Sequence, residues 1–138
     1  MERPAESVEN YLEAILVLSK SGNPVRSIDI ANKLGFSKPS VSVAMKNLRQ
    51  SGYIAVGGQG YISLTESGLS VAQKVYDRHT LIASWLTGLG VDEQTAAKDA
   101  CKMEHGISEA SFIAIKNHIA EWEEIKSRIE AWKKMRSG

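Results

Sequence analysis

Two short β-rich runs, Tyr53-Ile54-Ala55-Val56 and Tyr61-Ile62-Ser63-Leu64, are separated by Gly57-Gly58-Gln59-Gly60. A gap of that kind is a hairpin signal, because glycine reaches the backbone angles that a tight reversal demands. On both sides of the hairpin the apolar residues recur at helical spacing. The chain must therefore build its core from helices and one small β-ribbon, and few folds combine those parts. Its 138 residues allow one domain, or two small ones sharing an interface.

Three helices are predicted before the hairpin. Ser7 can cap the first, which carries Val8, Tyr11, Leu12, Ile15 and Leu18 on one stripe and is ended by Ser21-Gly22-Asn23-Pro24. The second runs from about Ser27, as N-cap, through Ile28, Ala31 and Leu34 to Gly35. The third begins near Ser37, with Pro39 in its first turn where a missing amide is harmless, and buries Val41, Ala44, Met45 and Leu48 before Gly52. After the hairpin a long helix opens at Thr65 and reaches about Leu86, where Gly88 and Gly90 break it. Another starts near Asp92 and ends with His105 and Gly106. Ser108 caps the last region, whose stripe of Phe112, Ile115, Ile119, Trp122, Ile125, Ile129 and Trp132 is one long helix or two with a kink.

Helix, helix, turn, helix, hairpin is the order of a winged helix. Ala31 is small where helices cross closely, and Gly35 suits the positive φ of a tight helix-to-helix turn. Net charge over the whole chain is only +1, but between Pro24 and Leu64 Arg26, Lys33, Lys38, Lys46 and Arg49 face Asp29 alone, a local net of +4. The third helix shows Ser37, Lys38, Pro39, Ser40, Ser42, Val43 and Lys46 opposite its apolar stripe. Short hydroxyls let a helix approach a groove, and lysines reach phosphates. Double-stranded DNA is the expected partner of that face, against the plainer reading of a solvated polar surface. The glycines at 57–60 are weaker evidence, since the turn needs them regardless of DNA.

In Cys101-Lys102-Met103-Glu104-His105 the thiol, carboxylate and imidazole fall at i, i+3 and i+4, on one helix face. All three are ligand types for divalent transition metals. His79 on the preceding helix could face the same spot, and Asn10 and Glu13 share a face of the first helix. The alternative makes Cys101 a small buried residue, Glu104 solvated and His105 a charge at the helix end. His118 has no such company and reads as a surface or packing residue. With a single cysteine, no internal disulfide can form.

In this order and spacing, Val8-Glu9-Asn10-Tyr11-Leu12-Glu13, Pro39-Ser40-Val41-Ser42, Leu64-Thr65-Glu66-Ser67-Gly68, Arg78-His79 and Cys101-Lys102-Met103-Glu104-His105 resemble the diphtheria toxin repressor family of metal-dependent regulators, including its manganese-transport-regulator branch. The resemblance implies a mainly α homodimer: a winged helix over residues 1–71, then an all-helical metal-binding and dimerisation domain over 72–138. It further implies Asn10, Glu13, His79, Cys101, Glu104 and His105 as metal ligands. Asn10 stands where the family usually has aspartate or methionine; Glu13 looks like the manganese branch and Cys101 like the iron branch. Ala83 and Ala97 replace ligands of the iron branch's ancillary site.

The expectation is a repressor activated by a divalent transition metal, iron(II) ahead of manganese(II) because a thiolate is soft. The Trp-rich C-terminal stripe is larger than a domain of its size needs, so a homodimer on palindromic operators is expected. No apolar run approaches the roughly 20 residues of a membrane span, and the start lacks the pattern of a secretory signal, which places the protein in the cytoplasm. Other readings are a winged-helix sensor of oxidants or organic ligands using Cys101 as a reactive thiol, an enzyme pairing Cys101 with His105 or a metal-bound water beside Glu104, and a winged helix for protein contacts alone.

Overall fold

The computed structural model describes residues 5–137. These form six helices and one two-stranded sheet, in two compact units that divide between Asp77 and Arg78.

The first unit begins with α1 (Glu6–Ser19), whose N-cap is Ala5. Ser7, predicted as the cap, lies inside the first turn instead, where Glu6 and Glu9 put negative charge at the helix start. α2 spans Ser27–Leu34. Its N-cap is Arg26 rather than Ser27, because the Asp29 carboxylate accepts the Arg26 backbone N–H at 2.9 Å and fixes the entry one residue earlier. Gly35 follows at φ 71°, the left-handed geometry expected of the turn. α3 (Lys38–Gln50) is capped as predicted: the Ser37 hydroxyl accepts the Ser40 N–H at 3.3 Å, with Pro39 in the first turn.

β1 (Ile54–Val56) and β2 (Ile62–Leu64) pair antiparallel, Ile54 opposite Leu64 and Val56 opposite Ile62. Tyr53 and Tyr61 fall just outside the strands. Val25 adds a bridge, its carbonyl accepting the Ile62 N–H at 2.7 Å. Leu12, Ile15, Ile30 and Val41 are fully buried with Met45, Leu48, Ile54 and Ile62 around them. Burial of each large aliphatic chain contributes about 1.5–3 kcal/mol, so this apolar cluster is what fixes the three helices and the ribbon as one body. Ala44, expected in the stripe, is partly buried.

The hairpin's exit is held by Thr65. Its hydroxyl donates to the Gly52 carbonyl at 2.6 Å and accepts the Gly68 N–H at 3.2 Å. A β-carbon at Gly68 would collide with the Tyr53 carbonyl, so that position has room only for glycine.

α4 (Glu66–Gly88) starts in the first unit and continues into the second. α5 (Glu93–Gly106) is capped by Asp92, which accepts the Thr95 N–H at 3.0 Å. Hydrogen bonds from Thr95, side chain first and backbone second, hold the Asp92 carboxyl below its ordinary range. α6 (Glu109–Ser137) is one unbroken helix, which decides between the two readings of the last stripe. Within the second unit Ile82, Ala96 and Ala100 are fully buried, the alanines letting backbones approach, whereas no residue of α6 is buried.

Candidate metal centre and nucleic-acid interface

The second unit buries a carboxylate. Glu104 has no exposed surface. Its Oε2 lies 3.1 Å from Nδ1 of His79 on α4, and its Oε1 lies 3.3 Å from Nε2 of His105, whose imidazole is 2 % exposed. Removing an ionised carboxylate from water is costly unless positive charge and hydrogen bonds compensate it. The Arg78 guanidinium donates to the Glu104 backbone carbonyl at 3.4 Å and lies 5.1 Å from the centre of the Phe112 ring.

The one-turn spacing does bring Cys101, Glu104 and His105 together: their donor atoms lie within 4.8 Å of one another. The alternative reading of this trio had it inverted. Cys101 is exposed and Glu104 is fully buried, so the polar groups, not the thiol, occupy the interior. The thiol, carboxylate and imidazole of this trio form a donor set that fits a borderline divalent cation, and His79 sets a second imidazole against the same carboxylate. Asn10 and Glu13 lie in the first unit, one turn apart on α1 and both half-buried. Glu9 beside them, not singled out in the sequence, is 3 % exposed. Ala83 is half-buried and Ala97 exposed. His118 is exposed, on the rim of a groove with Leu81, Trp85 and Trp122.

The first unit presents the other candidate surface. Ser37, Lys38, Pro39, Ser40, Ser42, Val43 and Lys46 are all exposed along α3, while Val41, Met45 and Leu48 anchor its opposite face. One feature of this surface escaped the sequence reading. The Arg26 guanidinium sits 4.7 Å above the ring of Tyr61 beside the hairpin turn, adding a positioned cation next to the ribbon. The sequence signal was available in the basic run that contains Arg26, but its contact with a residue 35 positions away was not.

Comparison with known proteins bears on both surfaces. Residues 5–61 match the iron dependent repressor N-terminal DNA binding domain, and residues 65–130 match the iron dependent repressor metal binding and dimerisation domain. The chain belongs to the iron-dependent repressor family. A transcriptional regulator of Methanocaldococcus jannaschii, named as uncharacterized and of helix-turn-helix type, is 36% identical to this repressor over 107 residues, 76% of this chain and 86% of the relative. The transcriptional regulator MntR of Escherichia coli is 33% identical over 111 residues, covering 80% of this chain and 72% of MntR. Among solved structures the manganese regulator SloR aligns with TM-score 0.73 at 26% identity, over 86% of this chain and 55% of SloR. This repressor thus spans about half the length of SloR.

Membership makes the protein a metal-dependent transcriptional repressor of the kind that controls metal homeostasis, and a regulator rather than an enzyme. The family binds DNA and dimerises, and its cofactor is a divalent metal. No helix among the described residues is long and apolar enough to cross a membrane.

Proposed function

We propose that this repressor couples a divalent-metal centre built on Glu104 to DNA recognition by the exposed face of α3. The observation that carries the reading is the fully buried Glu104 carboxylate between two imidazole nitrogens, with Cys101 in reach. In this reading His79, Cys101, Glu104 and His105 are ligands from the second unit, and Asn10 and Glu13 are ligands from α1. Bound cation would supply the positive charge that the carboxylate needs. A metal that interacts better with one arrangement of the chain than another raises the population of that arrangement. Ser37, Lys38, Pro39, Ser40, Ser42 and Lys46 then form the DNA-contacting set, lysines on phosphates and hydroxyls at base edges. The winged helix would serve this role to about residue 71, and residues from 72 onward the metal and dimer roles.

Iron has no lead over manganese. Cys101 is a soft donor, but Glu104 and Glu13 supply hard oxygens, and SloR is described as a manganese regulator. The reading is activation by more than one divalent metal, in the cytoplasm, where operators are reached directly.

The test is an anaerobic titration of operator binding with iron(II), manganese(II), cobalt(II) and zinc, using operator selected from random duplexes. Wild type should gain at least about tenfold in affinity, roughly 1.4 kcal/mol, with one or more of these metals, and His105→Ala should gain nothing. Equal binding by both proteins with and without metal would remove the metal reading and leave Cys101 as an oxidant sensor.

A further inference from the structure

The outer half of α6 has no buried residue although it carries a regular apolar stripe. Trp122, Ile125, Ile129 and Trp132 are 53, 44, 44 and 56 % exposed. Their intervals of three, four and three residues are those of a coiled-coil seam, which keeps one face turned toward a partner helix. Two tryptophans and two isoleucines in such a row form an apolar strip larger than scattered surface residues normally make.

The charges around the strip are ordered along the helix. Glu121, Glu123 and Glu124 precede its middle, Lys133, Lys134 and Arg136 follow it, and the mixed charges Lys126, Arg128 and Glu130 lie between the two clusters. Two parallel copies would set acid against acid and base against base. Two antiparallel copies, related by a two-fold axis near Arg128, set each acidic cluster against the basic cluster of the other copy. That arrangement is self-complementary, as a two-fold interface must be. It also brings Ile125 and Ile129 to the centre and a tryptophan to either end. The intrahelical pairs Lys126–Glu123 at 3.7 Å and Lys133–Glu130 at 3.8 Å are exposed and hold these side chains only weakly.

We infer that the outer half of α6 pairs antiparallel with the same segment of a second copy of this chain. The inference rests on the repressor being a dimer and adds where and in which direction the copies meet. All three residues of the basic cluster lie past residue 130, where the match to the dimerisation domain ends.

Charge reversal on the full-length protein tests it, because the altered side chains are solvent-facing and leave the apolar strip in place. One variant carries E121K, E123K and E124K; a second carries K133E, K134E and R136E; a third carries all six. Dimer dissociation constants come from sedimentation equilibrium at low salt, with helicity checked by circular dichroism. Each triple reversal should weaken the dimer by roughly tenfold, and the sixfold exchange should restore it to near the wild-type value. An equimolar mixture of the two triple reversals should also form mixed dimers. If both reversals dimerise like wild type, or the sixfold exchange does not restore what they lose, the antiparallel pairing is wrong while the dimer stands. A wild type that is monomeric at micromolar concentration, with and without metal, overturns the dimer itself.

Discussion

The two units place their functional groups at opposite depths. In the first unit every side chain expected to meet DNA is exposed, and the core that holds α3 is apolar: Leu12, Ile15, Ile30 and Val41 have no solvent contact. In the second unit the fully buried positions include Glu104 beside Ile82, Ala96 and Ala100. The first unit therefore folds mainly on hydrocarbon, with the buried Glu9 on α1 as an exception, and displays its DNA-facing side chains outside. The second keeps a charge where hydrocarbon would have been more stabilising, so stability and function draw on the same residue.

The contrast breaks first in stability. Leu12→Ala should cost about 2–5 kcal/mol, from lost transfer energy and the cavity left behind, and the loss should be the same at every metal concentration. Chemical denaturation with and without metal measures it; a metal-dependent loss would mean that the first unit's core also answers to the ion.

Glu104→Leu should behave in the opposite way. Without metal the variant should be no less stable than wild type, because an apolar chain of similar volume replaces a buried charge. At a metal concentration a hundredfold above the dissociation constant, wild type should gain about 2.7 kcal/mol that the variant lacks. Thermal unfolding in chelator and in metal separates the two states. A variant that unfolds much earlier in chelator would show Glu104 to be structural on its own.

The smallest stability effect belongs to the recognition face. Lys46→Ala should alter stability by less than about 0.5 kcal/mol, yet lower the salt dependence of DNA binding by about one ion's worth across all sequences. Ser42→Ala should instead change which duplexes are preferred. Binding measured over a range of salt concentrations on several duplexes checks both; an unchanged slope and unchanged preference would move the DNA face off α3.

How much of this was legible in the sequence also differs between the units. The winged helix was readable because its signals are local: Pro39 after a capping Ser37, Gly35 at a left-handed turn, glycines between two β-rich runs. The misplaced starts at Ser7 and Ser27 have a local cause too. A hydroxyl can sit inside a first turn as easily as before it, and the Asp29 carboxylate decided the second case from three residues away. In the second unit the spacing of Cys101, Glu104 and His105 gave a face but not a depth. Helical periodicity cannot say which of three polar groups is innermost, because that depends on what α4 brings against α5, here His79 and Arg78. The unbroken run of α6 was undecided for a similar reason: the segment has neither proline nor glycine to force a kink, but helical spacing alone does not say whether packing bends a helix of that length.

The termination of α5 at Gly106, immediately after Glu104 and His105, gives the centre a preferred sign of charge. Peptide dipoles aligned along a helix leave its carbonyl end partially negative, equivalent to about half an elementary charge spread over the last turn. The buried carboxylate sits in that same field. Phosphate, sulfate or an organic acid would be repelled twice, by the side chain and by the helix behind it. At this centre the local field therefore favours a cation over a small anion before any question of ligand geometry arises, and what remains for the donor atoms to decide is which cation.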